Sequence, residues 1–212
     1  MAAILVPIVL LLPKFNRRPI EYKWLAILLI FSFLCDFLNE VQYRLFRFPV
    51  NIIGNTYGVI NPILLSCFFY SCLQLKKLKL PLIVFNIFYL LFSIANFAFI
   101  QKGGINTYSG IVEKLQVMTL CLLFFYKVIK ELPSRKSYDT GLFWIISSMF
   151  VVYSAKLVLF SFAHYLVISN DNLMVLWNTH NVISIMFSLS VAIGVWIRQR
   201  NSAFSESPAA GS

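Results

Sequence analysis

Side chains able to do chemistry are few in this chain, and they recur at helical spacing inside strongly apolar runs. Asp36, Asn39 and Glu40 fall at i, i+3, i+4, and Asn51, Asn55 and Gly58 at i, i+4, i+7. Glu113 and Gln116, like Tyr153 and Lys156, stand three residues apart, and Trp177, His180, Asn181 and Ser184 follow i, i+3, i+4, i+7. Each spacing gathers its residues onto one face of a helix. An ionisable group at bilayer depth costs about 2.5–3.5 kcal/mol on insertion scales, so each such residue is a functional candidate by default. Asp36, Glu40, Asn55, Glu113, Gln116, Lys156, His180 and Asn181 are therefore the candidate ligand-binding residues.

Depth unites them. Counted from helix ends at about 1.5 Å per residue, Asp36 lies about 18 Å and Lys156 about 22 Å from the basic side, with Glu40 one turn further. From the opposite side, His180, Glu113 and Asn55 lie roughly 8–12 Å down their helices. All converge on one slab of a hydrocarbon core about 30 Å thick. Asp36, Glu40 and Glu113 set against Lys156 leave an acidic excess that suits a cationic or zwitterionic solute. A plainer reading has Lys156 pairing with Asp36 or Glu113, so that the network only fixes packing. Lys114 is expected to snorkel outward from its helix end.

Other chemistries lack their residues. There is no HExxH, no G-x-S-x-G, no P-loop and no G-x-G-x-x-G. Two histidines on different helices do not suggest a metal, and no cofactor is expected. A retinal Schiff base on the seventh helix would need a lysine that this helix lacks, although Lys156 stands on the sixth. An intramembrane hydrolase using Asp36, Glu40 or His180 finds no spacing to argue for it, and the chain does not read as an enzyme. Cys35, Cys67, Cys72 and Cys121 all lie in apolar runs and read as small buried hydrophobes.

The elements that must position these residues follow from composition. The chain has 212 residues, 59% hydrophobic and 12% charged, with a mean hydropathy of +0.79. A soluble domain carries about a quarter of its residues charged, so this is an all-α, polytopic membrane bundle. Apolar runs at about 2–12, 22–46, 50–75, 80–100, 107–128, 142–167 and 173–197 predict seven transmembrane helices in one domain spanning 1–200. Six spans are the fallback, because the first run is short. Residues 201–212 read as a flexible tail or an appended remnant. No basic leader or cleavage pattern precedes the first run.

Charge along the chain gives orientation. Lys14, Arg17, Arg18 and Lys23, then Lys76, Lys77 and Lys79, then Lys127, Lys130, Arg135 and Lys136, and finally Arg198 and Arg200 fall on one side. The opposite loops hold only Arg44, Arg47 and Lys102. The basic side is read as cytoplasmic, which puts the N-terminus outside and the C-terminus inside a multi-pass inner-membrane protein. Those cations meet anionic lipid head groups, and the net charge of +10 needs no nucleic acid to explain it.

Asn-Thr-x-x-Val-Ile occurs from Asn55 and again from Asn178, 123 residues apart, in the third and seventh runs. Trp24 and Asp36 in the second run match Trp144 and Lys156 in the sixth at an offset of 120. These offsets predict a parallel three-helix repeat, helices 1–3 and 5–7, with the fourth as linker. The layout resembles that of the sugar-transporter and PQ-loop families. It departs from their motifs: Pro7 is not followed by Gln, and the seventh helix has no proline matching Pro62. The chain also looks like a group of small bacterial seven-helix membrane proteins, through Asn86 to Asn96, Gly103 to Tyr108 and Leu176-Trp177-Asn178. That resemblance implies no particular activity.

Two functions remain open from the sequence. One is a transporter holding a small polar or charged solute in an outward-opening cavity between two triple-helix halves. The other is a receptor or sensor of the same topology, signalling to a cytoplasmic partner through its basic face.

Overall fold

A computed structural model describes residues 2–13, 15–46, 51–100, 107–131, 139–168 and 173–206. Lys14, Arg47, Lys102, Arg135, Lys136 and the 103–106 stretch lie outside the described residues. Among those described, the chain forms seven α-helices: α1 (Ala2–Leu11), α2 (Ile20–Phe46), α3 (Asn51–Leu73), α4 (Lys79–Ala95), α5 (Thr107–Glu131), α6 (Thr140–Ile168) and α7 (Leu173–Glu206). A π-turn, Asn96–Ile100, extends α4. Five helices are long and apolar enough to cross a membrane: α2, α3, α4 with its flanking turns, α6 and α7. With 10 residues, about 15 Å at 1.5 Å per residue, α1 is too short to cross alone. α5 is long enough at 25 residues but carries Glu113, Lys114 and Gln116 in its first half, and it is not among the five.

α7 runs to Glu206, six residues into the stretch expected to be a flexible tail. Nothing before Pro208 breaks a helix there, and Asn201 donates to the Thr140 hydroxyl at 2.9 Å, which ties the extension to the start of α6.

The helices pack in a ring. α1 touches α2, α2 touches α3, α3 touches α5, α5 touches α6, α6 touches α7, and α7 returns to α1, while α4 packs outside against α3 and α5. Exchanging α1 with α5, α2 with α6 and α3 with α7 maps this ring onto itself. Burial follows the same exchange at nine pairs of positions, although Leu28, Cys35, Ser66 and Leu73 are buried where Ser148, Ala155, Leu189 and Trp196 are not. Tyr22, Leu25, Ala26 and Leu29 are buried, as are Leu142, Ile145, Ile146 and Met149, each 120 residues later. Leu65, Phe68, Phe69, Ser71 and Cys72 match the buried Ser188, Val191, Ala192, Gly194 and Val195 at 123.

Lipid tails are as apolar as leucine, so close packing rather than hydrophobic burial must hold such helices together. Gly141 on α6 faces Gly194 on α7, and a Cβ on either would collide with the opposite helix. Pro62 inside α3 lacks the N–H that would reach the carbonyl of Gly58, and the Tyr89 hydroxyl of α4 donates to that oxygen instead, at 2.9 Å.

Candidate functional site

The ring has two ends. Where α2 and α6 start and α3, α5 and α7 finish lie Arg17, Arg18, Lys23, Lys127, Arg198 and Arg200; this is the basic end. The other, the site end, holds the candidate residues.

Along α2, successive turns of one face pass from Tyr22, Leu25 and Leu29, each at most 1% exposed, to the half-buried Ser32 and then to the exposed Asp36. Residues 22, 25, 29, 32 and 36 share one helical stripe, so Asp36 sits in the middle of the inward face yet is accessible. α6 repeats the pattern. Leu142, Ile145, Met149 and Tyr153 are buried, and Lys156, next on the same stripe, is only half-buried. Inward faces that are closed at the basic end therefore open towards the site end. On α3, Gly54 and Gly58 share the stripe of buried Leu65 and Cys72, and a Cβ at either glycine would meet nothing within 4 Å.

The eight candidate residues divide into two groups. Asp36 and Asn181 are exposed, and Glu40, Asn55, Lys156 and His180 are half-buried around the opening. Glu113 and Gln116 are buried beneath it, on α5. Asn61 on α3 donates to Glu113 Oε1 at 2.6 Å, and Lys114 donates to Glu113 Oε2 at 2.8 Å. Gln116 donates to Ser66 at 2.8 Å, and Ser66 donates to Asn86 of α4 at 3.2 Å. Above this layer Ser32 and Tyr57 share a hydrogen bond at 3.3 Å, and Phe31 stacks on the Tyr57 ring. Tyr153, buried on α6, lies near Asn61 and within the field of Glu113.

One expectation is corrected, and the plainer reading of Lys156 lacks its ion pair. Lys114 does not snorkel outward. It is 7% exposed, ion-paired with its chain neighbour Glu113 and seated 4.4 Å from the centre of the Phe160 ring. A cation can turn inward there because a carboxylate and an aromatic face receive it together. Nor does Lys156 form an ion pair with Asp36 or Glu113 among the described residues, although both carboxylates lie within its electrostatic reach. The acidic excess read from the sequence shrinks once Lys114 is counted inside, since it matches the charge of Glu113. His180 packs edge-on against Phe160, in the field of both Lys156 and Lys114.

Sequence reasoning missed the closure of the basic end. Asp139, the N-cap of α6, accepts from the Leu142 amide at 3.1 Å through Oδ1. Its Oδ2 accepts from the Tyr22 hydroxyl at 2.9 Å and lies 3.3 Å from Arg198 Nε. One carboxylate thus ties α2, α6 and α7. Gln199 and Arg18 both donate to the Leu10 carbonyl, each at 2.7 Å, joining the end of α1 to α7 and to the start of α2. Lys127 of α5 donates to the Leu73 carbonyl at 2.8 Å and satisfies the end of α3, where Gln74 turns the chain with a φ of 52°. Asp139 just before an apolar run was a readable helix-start signal; its partners on α2 and α7 were not.

Among the described residues no group of His, Cys, Asp and Glu side chains is arranged to hold a metal. The free cysteines Cys35, Cys72 and Cys121 are buried and Cys67 half-buried. Comparison with protein-family models, curated proteins and solved structures finds no match for this chain.

Proposed function

We propose that this chain is a multi-pass inner-membrane transporter of a small polar or charged solute, held in an outward-opening cavity between two triple-helix halves. The reading has seven membrane segments, the N-terminus outside and the C-terminus cytoplasmic, from the bias of basic residues. α1 would span only with the help of its neighbours. The halves are α1–α3 and α5–α7, related by a parallel repeat that the ring of contacts and the matched burial support.

One observation carries the reading: on both α2 and α6 the inward stripe is buried at the basic end and becomes exposed at Asp36 and half-buried at Lys156. Costly charges on an inward, accessible face are the mark of a solute path rather than of packing. Asp36, Glu40, Asn55, Lys156, His180 and Asn181 would line the site, with Glu113 and Gln116 holding its floor. Transport would rock one half against the other, releasing the polar contacts at the basic end as the site end closes.

Cysteine labelling tests this. On a cysteine-free background, a cysteine in place of Asn61 should react with a membrane-impermeant reagent from the cytoplasmic side in at least one condition. Labelling at Asp36→Cys and Lys156→Cys from outside, with the basic half closed under every condition, would instead favour a receptor that senses the same solute.

A further inference from the structure

We infer that the solute is a zwitterion of the α-amino-acid kind, with Lys156 taking its carboxylate and Asp36 its ammonium; this rests on the solute-binding reading above. The starting point is which charges are already committed. Glu113 is engaged on both oxygens, by Asn61 and by Lys114, and Lys114 is further held against Phe160. That pair is neutral as a unit and fully buried. Glu40, one turn beyond Asp36, has an interaction of its own, so what remains at the centre of the two inward stripes among the described residues is one carboxylate, Asp36, and one ammonium, Lys156. Neither Asp36 nor Lys156 is ion-paired with another described residue; Lys156 lies in the field of Lys114, Glu113 and Asp36, and Asp36 lies in that of Lys156.

Position strengthens the case. Asp36 and Lys156 are equivalent in the two halves, 120 residues apart and two turns beyond the last matched buried pair, Leu29 and Met149. A pseudo-two-fold axis through the ring therefore sets opposite charges on opposite walls. A cation alone would leave Lys156 without a counter-charge and repel it, and an anion alone would do the same to Asp36. A neutral polyol would leave both charges partly desolvated and unmatched. A small molecule carrying both charges satisfies both walls at once. On the inward stripe of α3, a Cβ at Gly54 or Gly58 would meet nothing within 4 Å.

The test uses the full chain in lipid nanodiscs with three probe sets: neutral L-amino acids, the same amino acids as amides, and the same amino acids N-acetylated. Native mass spectrometry and thermal shift report binding. The expected result is binding of the parent amino acids alone. Lys156→Met should weaken parent binding by roughly tenfold, the loss of one charged contact, and bring the cationic amides closer to the parents. Asp36→Asn should do the same for the acetylated set. The exchanged pair, Asp36→Lys with Lys156→Asp, should retain parent binding, because a zwitterion can turn round. Amides or acetylated probes binding wild type as well as the parents do would overturn the zwitterion while leaving a solute site. If no set binds but Lys156→Cys is labelled from water, the zwitterion falls and the opening stands. If no set binds and that cysteine is unreactive, both fall.

Discussion

The two ends of this bundle are built from the same helix stripes and treat them in opposite ways. At the basic end the inward faces of α2 and α6 are apolar and dry, from Leu25 and Leu29 to Ile145 and Met149. Charged groups at the rim there tie helix ends together: Asp139 with Tyr22, Arg198 and the start of α6, and Lys127 with the end of α3. Two turns beyond Leu29 and Met149, the same stripes carry Asp36, exposed, and Lys156, half-buried, neither of them ion-paired among the described residues. Where the chain closes, it spends its charges on backbone and on each other; where it opens, it leaves two of them over. On the proposed reading, the contrast separates a structural polar network from one that receives the solute.

The comparison can be broken most severely at the dry end. Met149→Asp would place a carboxylate on a stripe with no partner, costing about 2.5–3.5 kcal/mol for the charge and more for lost packing. Little monodisperse protein should be recovered, whereas Ser32→Asp, nearer the opening, should express and unfold close to wild type. Gly141→Ala comes next. Its Cβ would collide with α7, and the unfolding free energy should fall by about 1–3 kcal/mol in a denaturant titration.

Smaller effects sharpen the contrast. Asp139→Ala removes a helix cap and two side-chain partners at the rim, for a loss of about 1–2 kcal/mol in thermal or chemical unfolding. It should also raise cytoplasmic labelling of a cysteine at Leu29, since the contact between α2 and α6 is released. Gly54→Ala should be the mildest. It points into open space within a helix, so stability should hold or rise by up to about 1 kcal/mol while solute binding weakens. A large loss of stability at Gly54 would mean that the space is filled.

Much of the fold was legible because helical periodicity survives in apolar runs. The inward placing of Asp36 and Lys156 followed from spacing alone, and the offsets of 120 and 123 taken from Trp24, Asp36 and Asn55 reappear in the buried positions. Hidden from the sequence was everything decided by a partner far along the chain. Lys114 turns inward because Phe160, on the next helix, receives it. Asp139 became a hub through Tyr22, which precedes it by 117 residues. The π-turn after α4 and the helical run to Glu206 likewise depend on local hydrogen bonding that hydropathy does not encode.

The most direct test compares two cysteines on one stripe of α6, Lys156→Cys and Met149→Cys, in a cysteine-free background in sealed vesicles. A membrane-impermeant thiol reagent applied from outside should modify the first rapidly and the second at background rate, and an excess of bound solute should protect the first. Equal reaction at both, or no reaction at Lys156→Cys, would contradict a site that opens outward above a dry, closed half.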